Sequence, residues 1–351
     1  MWVVLASDDL ANIILKFRET AVTQHFITET IVIIDSPLAT FSFAFSVTAP
    51  IFVMLILGIV LKRIKMIDDN FVKSASTIVF NIGLPVLLFN SCAKVDFSQA
   101  ADSRLLIAGG IMTFAVFYLS GITAHWHLKD KRDRGVFVQG AFRGNLVILG
   151  LAFCANAYGE AGVAIASLPV AVTVVIYNVL SVYALNQSLN THAETSWRKT
   201  FFDILKNPLI ISIALGLIAN LLSFHLPKIL QDSSDYLTQM VLPLALICVG
   251  GALDLKQLRK SDDGSLAASV WKLIASPIIA CALAIALGVR GQNLAILFLL
   301  ASSPSATVGF AMVHAMNGNT TLAANIIVQT TLGAMLTVTV GLWILQMTGL
   351  I

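Results

Sequence analysis

Charged residues are what this chain has least of. Asp, Glu, Lys and Arg make up 12% of its 351 residues, against about 25% in ordinary globular domains. Residues 36–61, 74–93, 161–193 and 207–227 contain none, and neither does any position from Gly291 to Ile351. Runs of that length exclude soluble packing, because a bilayer core asks for roughly 20 apolar residues per helix. Cysteine is also scarce. Cys92, Cys154, Cys248 and Cys281 fall in apolar segments without metal-ligand spacing, so they read as free thiols serving as small apolar residues. Catalytic signatures are missing too: there is no His-Glu-x-x-His helix, no Gly-x-Ser-x-Gly elbow and no pair of intramembrane aspartates. That argues against an intramembrane enzyme. No nucleotide-binding loop is present, which argues against ATP drive within this chain.

What remains is apolar: 57% of the residues are hydrophobic. The sequence predicts an all-α polytopic membrane protein with ten spans, at about 39–61, 70–92, 103–126, 135–157, 162–186, 207–227, 235–254, 265–289, 292–316 and 320–346. Asn317-Gly318-Asn319 divides the last uncharged run into two. Basic residues concentrate in cytoplasmic loops, and here they alternate. Lys62, Arg63, Lys65 and Lys73 follow span 1, and Lys129, Lys131, Arg132 and Arg134 follow span 3. Arg198, Lys199 and Lys206 sit in the centre, and Lys256, Arg259 and Lys260 follow span 7. The intervening loops have few. This places the central linker in the cytoplasm and both termini outside, in the cell membrane. The net charge of +3 reflects that orientation and gives no sign of a nucleic-acid partner.

The chain also repeats itself. Pro50 is echoed by Pro208, Gly58 by Gly216, Leu84-Pro85 by Leu242-Pro243, and Asp96 and Gln99 by Asp254 and Gln257. With one residue of drift, Gly150 pairs with Gly309, Gly159 with Gly318 and Ala164 with Ala323. The organisation expected is a non-spanning extension (1–38), a first repeat (39–189), a cytoplasmic linker (190–206) and a second repeat (207–351). Five spans per repeat invert the second against the first. Duplicated, inverted membrane bundles are the mark of secondary transporters.

Broken helices survive in lipid only where protein or a cavity receives their backbone, so breaks point to a site. Span 9 carries Ser302-Ser303-Pro304-Ser305-Ala306-Thr307, and its partner in span 4 carries Arg143-Gly144-Asn145. Arg143 lies nine residues beyond Arg134, about 13 Å along a helix. An arginine at that depth costs at least ~2.5 kcal/mol on insertion scales, which implies a partner or a watery cavity. The bland alternative is an arginine that snorkels to the headgroups or caps carbonyls. In the functional reading, Arg143 and the half-helix dipoles compensate a carboxylate. Asn145, Ser303, Ser305 and Thr307 then supply hydrogen bonds. Pro85 and Pro243 read as kinks before hinges. Asn81, Asn178, Asn325 and Gln329 are intramembrane amides that either line the cavity or bond a neighbouring helix. Asp96 and Asp254 read as span-end caps, and His314 as a structural histidine.

Several of these motifs resemble the auxin efflux carrier family. They are Phe142-Arg143-Gly144-Asn145 with Gly150 and Tyr158-Gly159-Glu160, Tyr177-Asn178, Ser303-Pro304-Ser305-Ala306, and Asn81-Ile82-Gly83-Leu84-Pro85. The resemblance covers about residues 40–348. It implies ten helices in two inverted five-helix repeats, as in bile-acid/sodium symporters, with broken helices 4 and 9 crossing in a transport domain. It also implies a secondary carrier of small organic anions working by alternating access, without a cofactor, driven by protons, by sodium or by neither, and a homodimer. Asn145 matches the family's substrate-side asparagine, and the family motif raises Asn81 and Asn178 as site residues. The family's first crossing also holds a proline, and this chain has none there, which leaves the unwinding of span 4 to be tested. A membrane-embedded sensor or structural subunit with the same fold is the competing reading.

Overall fold

The computed structural model describes residues 37–94, 102–189, 206, 208–224, 226–256 and 262–351. Residues 1–36 of the expected N-terminal extension and nearly all of the central linker lie outside these residues, as does Asp96, whereas Pro37 and Leu38 already belong to the first helix. The regular elements among the described residues are all helices. α1 is Pro37–Arg63, α2 Asp69–Lys94, α3 Ser103–His127, α4 Arg134–Phe142, α5 Leu146–Leu189 and α6 Pro208–Leu221. α7 is Lys228–Ala252, α8 Asp263–Ala286, α9 Gly291–Ala301, α10 Thr307–Ala315 and α11 Thr320–Met347. Seven of these are long and apolar enough to cross a membrane, and α6 and α9 are shorter apolar helices.

Three predicted spans look different in the structure. Span 4 is α4 plus the start of α5, interrupted at 143–145. The remainder of α5 continues into span 5 through a sharp turn at Gly159, whose φ of 61° and ψ of −146° lie outside helical space. That φ is open to glycine and strained for other residues. Span 9 is α9 and α10, interrupted between Ser302 and Ala306.

Two glycines set how closely the helices cross. α1 packs chiefly on α7 and α11, and α6 on α2. A Cβ on Gly58 of α1 would collide with the Ile247 carbonyl of α7. One on Gly216 of α6 would sit 2.7 Å from the Phe89 carbonyl of α2. Small residues are what allow backbones this near in an apolar bundle, where packing replaces the hydrophobic effect. Gly58 and Gly216 are also a pair matched by sequence spacing.

Wide π turns punctuate α2 at Val79–Gly83 and α8 at Trp271–Ala275. Each precedes a proline, Pro85 and Pro277. Proline removes one N–H and crowds the carbonyl four residues back, and a π turn absorbs that mismatch. The π turns carry Asn81 and Lys272, both of which matter below. Pro243 sits inside α7 without interrupting it.

Candidate functional site

The two interruptions meet. Gly144 and Ser305 form an antiparallel bridge, the one isolated β-bridge among the described residues. The Asn145 amide donates to the Pro304 carbonyl at 2.7 Å, and the Ala306 amide donates to the Arg143 carbonyl at 3.0 Å. Asn145 and Pro304 are matched by the sequence offset of the expected repeat, and they bond directly in space. Span 4 therefore unwinds without a proline. Arg143 leaves the helix at ψ 98° and Asn145 at ψ 68°. Glycine is a poor helix former, Asn145 caps α5 by accepting from the Ile148 amide at 3.4 Å, and the bridge takes up the freed backbone groups.

The second break is held by its own hydroxyls. Ser303 Oγ donates to the Leu300 carbonyl at 2.7 Å, and Ser305 Oγ to the Gly140 carbonyl at 2.6 Å. The Ser305 amide donates to Thr330 Oγ1 of α11 at 3.0 Å. The exposed C-terminal carbonyls of both half-helices thus gain donors: Ser305 serves Gly140 in α4, and a lysine serves α9.

That lysine is Lys272. It is fully buried in the π turn of α8, and its Nζ donates to the Ala301 carbonyl at 2.9 Å. A cation at a helix C-terminus complements the dipole there. Lys272 also reaches the bridge, because a Cβ on Gly144 would lie 3.0 Å from its Nζ and 2.5 Å from Ser303 Oγ. Sequence reasoning passed over this residue. Its signal was present, for it is the one charged position inside span 8 and deserved the same weight as Arg143.

Arg143 is 6% exposed. Its Nη1 donates to Ser181 Oγ at 3.0 Å and its Nη2 to Asn178 Oδ1 at 2.8 Å, both on α5. Its buried Nε has no partner. Among the described residues the ion pairs are Lys62–Asp69, Lys94–Asp235 and Arg104–Asp102, so neither Arg143 nor Lys272 faces a carboxylate. The Tyr177 ring packs edge-on against Phe142, with centroids 5.4 Å apart, which fixes the α4–α5 contact beside the guanidinium.

A cavity of about 420 Å³ opens at the bridge. Arg143, Gly144, Asn145, Asn81, Asn178 and Thr307 line it, with Phe80, Val174, Leu209 and Val308 as apolar wall and Lys206 at the mouth. Six of the nine candidate site residues therefore converge. Ser303, Pro304 and Ser305 do not line it: the two hydroxyls serve carbonyls and Pro304 contributes its own carbonyl to the bridge. Of the secondary candidates, Gln329 bonds Ser265 and Ser269 across to α8. Asp254 caps the Lys256 amide at the end of α7, and His314 stacks on Phe310.

Comparison with known proteins agrees with this anatomy. A family model described as "Membrane transport protein" matches residues 43–342. The chain is 27% identical to an uncharacterized transporter of Methanothermobacter thermautotrophicus over 261 residues, 73% of this chain and 83% of that one. It is 24% identical to an uncharacterized transporter of Methanocaldococcus jannaschii over 310 residues, 84% and 96% of the two chains. A third relative, from Rhizobium meliloti and provisionally named a malonate transporter, is 26% identical over 310 residues, 85% and 94%. With a matching model that spans nearly all of its helical region, the chain belongs to the membrane transport protein family of the auxin efflux carriers and is a multi-pass membrane transporter.

Proposed function

We propose that this transporter carries small organic anions of the carboxylate class by alternating access, with the substrate bound in the cavity beside Arg143. One observation carries the reading. Arg143, a buried cation without a carboxylate partner, lines the cavity at the joint of two broken helices, with Lys272 close behind Gly144. Buried charge normally requires a partner, and an anionic substrate supplies the one that is missing. The N-termini of α5 and α10 start at the same joint and add partial positive charge. Asn178 and Ser181 aim the guanidinium while Nε stays uncommitted, and Asn145, Asn81 and Thr307 offer hydrogen bonds around it. A cavity of about 420 Å³ suits a molecule of a few carbons, at the small end of ligand pockets. The name of the Rhizobium meliloti relative supports a dicarboxylate such as malonate.

The frame for the movement is a fold of ten spans in two inverted five-helix repeats, 39–189 and 207–351. The repeat-equivalent glycines at the α1–α7 and α6–α2 crossings support it, as does the hydrogen bond between the repeat partners Asn145 and Pro304. The tight α1–α7 and α2–α6 pairs form the scaffold, and the crossing breaks belong to the moving part. In this reading the cytoplasmic side is the one bearing Lys206, and the cavity that Lys206 lines opens inward. Contacts between loop ends support the same sidedness: Asp133 accepts from Asn319, and Asp102 accepts from Asn293. Coupling to protons or sodium is decided by the same assay. Uptake of labelled malonate, a monocarboxylate and a neutral amide into proteoliposomes, with imposed proton or sodium gradients, tests the proposal. Carboxylate uptake that collapses in Arg143→Ala is expected, and equal uptake of the neutral amide would refute it.

A further inference from the structure

A second cavity, of about 480 Å³, lies between the ends of α3, α4 and α5 and shares no lining residue with the first. Its floor is apolar and aromatic: Phe117, Tyr118, Ile122 and Tyr183. Phe117 stacks edge-on with Tyr118, centroids 5.3 Å apart. Tyr118, Ile122 and Tyr183 are each more than half exposed, on a flank where the helices are otherwise apolar. Its rim is basic, formed by His125, Lys131 and Arg134. Among the described residues no carboxylate lines it. Among the described residues, the two carboxylates beside Lys131 and Arg134 in sequence are engaged elsewhere: Asp130 caps the Arg132 amide, and Asp133 accepts from Asn319. Arg134 makes one long contact, Nη2 to the Leu128 carbonyl at 3.5 Å, and its Nε is buried without a partner.

We infer that this cavity binds an anionic glycerophospholipid, its phosphate held by Lys131 and Arg134 and its acyl chain laid along the aromatic floor. A basic pocket between helices on the cytoplasmic side suits an anionic headgroup, and guanidinium is the group best matched to phosphate oxygens. The floor decides for a lipid over a soluble anion, which would leave the exposed aromatic surface unused. Placing the rim at the cytoplasmic boundary rests on the sidedness proposed above. The location ties the lipid to the transport machinery. Arg134 begins α4, the nine-residue half-helix that ends at Arg143, and Tyr183 lies on α5 just beyond Asn178 and Ser181, the partners of Arg143. A lipid seated there bridges the two helices that Arg143 clamps together.

Native mass spectrometry of the purified full chain, with phosphatidylglycerol or phosphatidylcholine added at equal concentration, reads this directly. Each basic residue near an anionic headgroup is worth roughly fivefold. With two such residues, the wild type is expected to retain phosphatidylglycerol about 25-fold better than phosphatidylcholine. Lys131→Gln/Arg134→Gln is expected to erase the preference, while Arg63→Gln/Lys73→Gln, on another basic loop, keeps it. An unchanged preference in the first variant would overturn the assignment. Displacement of phosphatidylglycerol by millimolar inorganic phosphate would overturn the lipid in favour of a soluble anion. Should the double variant not insert, a photoreactive phosphatidylglycerol on the wild type decides: labelling within 117–138 and 183–188 is expected, and labelling only elsewhere refutes. Lipid retention is read without transport, so its failure leaves the carrier reading untouched.

Discussion

The two breaks at the centre of this transporter have one geometry and two chemistries. The α9–α10 break is written in familiar helix breakers, a proline among serines, and nearly all of its polar groups serve the fold: Ser303 and Ser305 cap carbonyls and the Ser305 amide bonds Thr330. The α4–α5 break has no proline. It opens because glycine and asparagine resist the helix weakly and the other break receives their backbone groups. Arg143, Gly144 and Asn145 all line the cavity, whereas Ser303, Pro304 and Ser305 do not and the α9–α10 side reaches it through Ala306, Thr307 and Val308. The two breaks thus differ in use: the serines of one hold carbonyls, and the residues of the other line the cavity in which the proposed anion sits.

The sharpest way to break this comparison is at Arg143. Removing one member of a buried, hydrogen-bonded charge network costs ~2–5 kcal/mol, so Arg143→Ala should lower anion affinity by at least ~30-fold. Membrane insertion should be unchanged, as read by detergent-extracted yield and size-exclusion profile. Gly144→Ala attacks the joint itself. Its Cβ would press on Ser303 Oγ and Lys272 Nζ, and overpacking of this kind costs ~1–3 kcal/mol; a lowered thermal midpoint in detergent, together with lost transport, is the expected outcome. Lys272→Met keeps the volume and removes the charge. Stability should change by no more than about 1 kcal/mol, since a buried charge is often replaceable by an apolar isostere. Anion affinity should fall by about fivefold, measured by calorimetry, through loss of positive potential. The smallest effect belongs to the framing break: Ser303→Ala removes a local hydroxyl–carbonyl bond worth ~1 kcal/mol and should leave anion affinity within about twofold. A Ser303→Ala variant that lost binding as Arg143→Ala does would erase the distinction between the breaks.

Much of this was legible in the sequence because membranes make certain residues expensive. Arg143, the Ser-Pro-Ser break and the uncharged runs each announced themselves by cost. Six of the nine candidate residues line the cavity for that reason. What could not be read was set by long-range packing. Nothing local to Ser303 or Ser305 says that their hydroxyls are consumed by Leu300 and Gly140. The approach of Lys272 to Gly144 depends on a π turn in α8, and the pairing of Arg143 with Ser181 on the facing helix α5. The unwinding of span 4 was open in the sequence because its cause lies in the opposite break, 160 residues away.

The central claim is that Arg143 binds a carboxylate. Isothermal calorimetry of malonate against purified wild type and Arg143→Ala tests it most directly, with thermal unfolding as companion. At 100 times its dissociation constant a bound ligand adds ~2.7 kcal/mol to stability. The account predicts saturable binding and a raised midpoint in the wild type, both absent in a folded Arg143→Ala. Equal binding by the two proteins would contradict it.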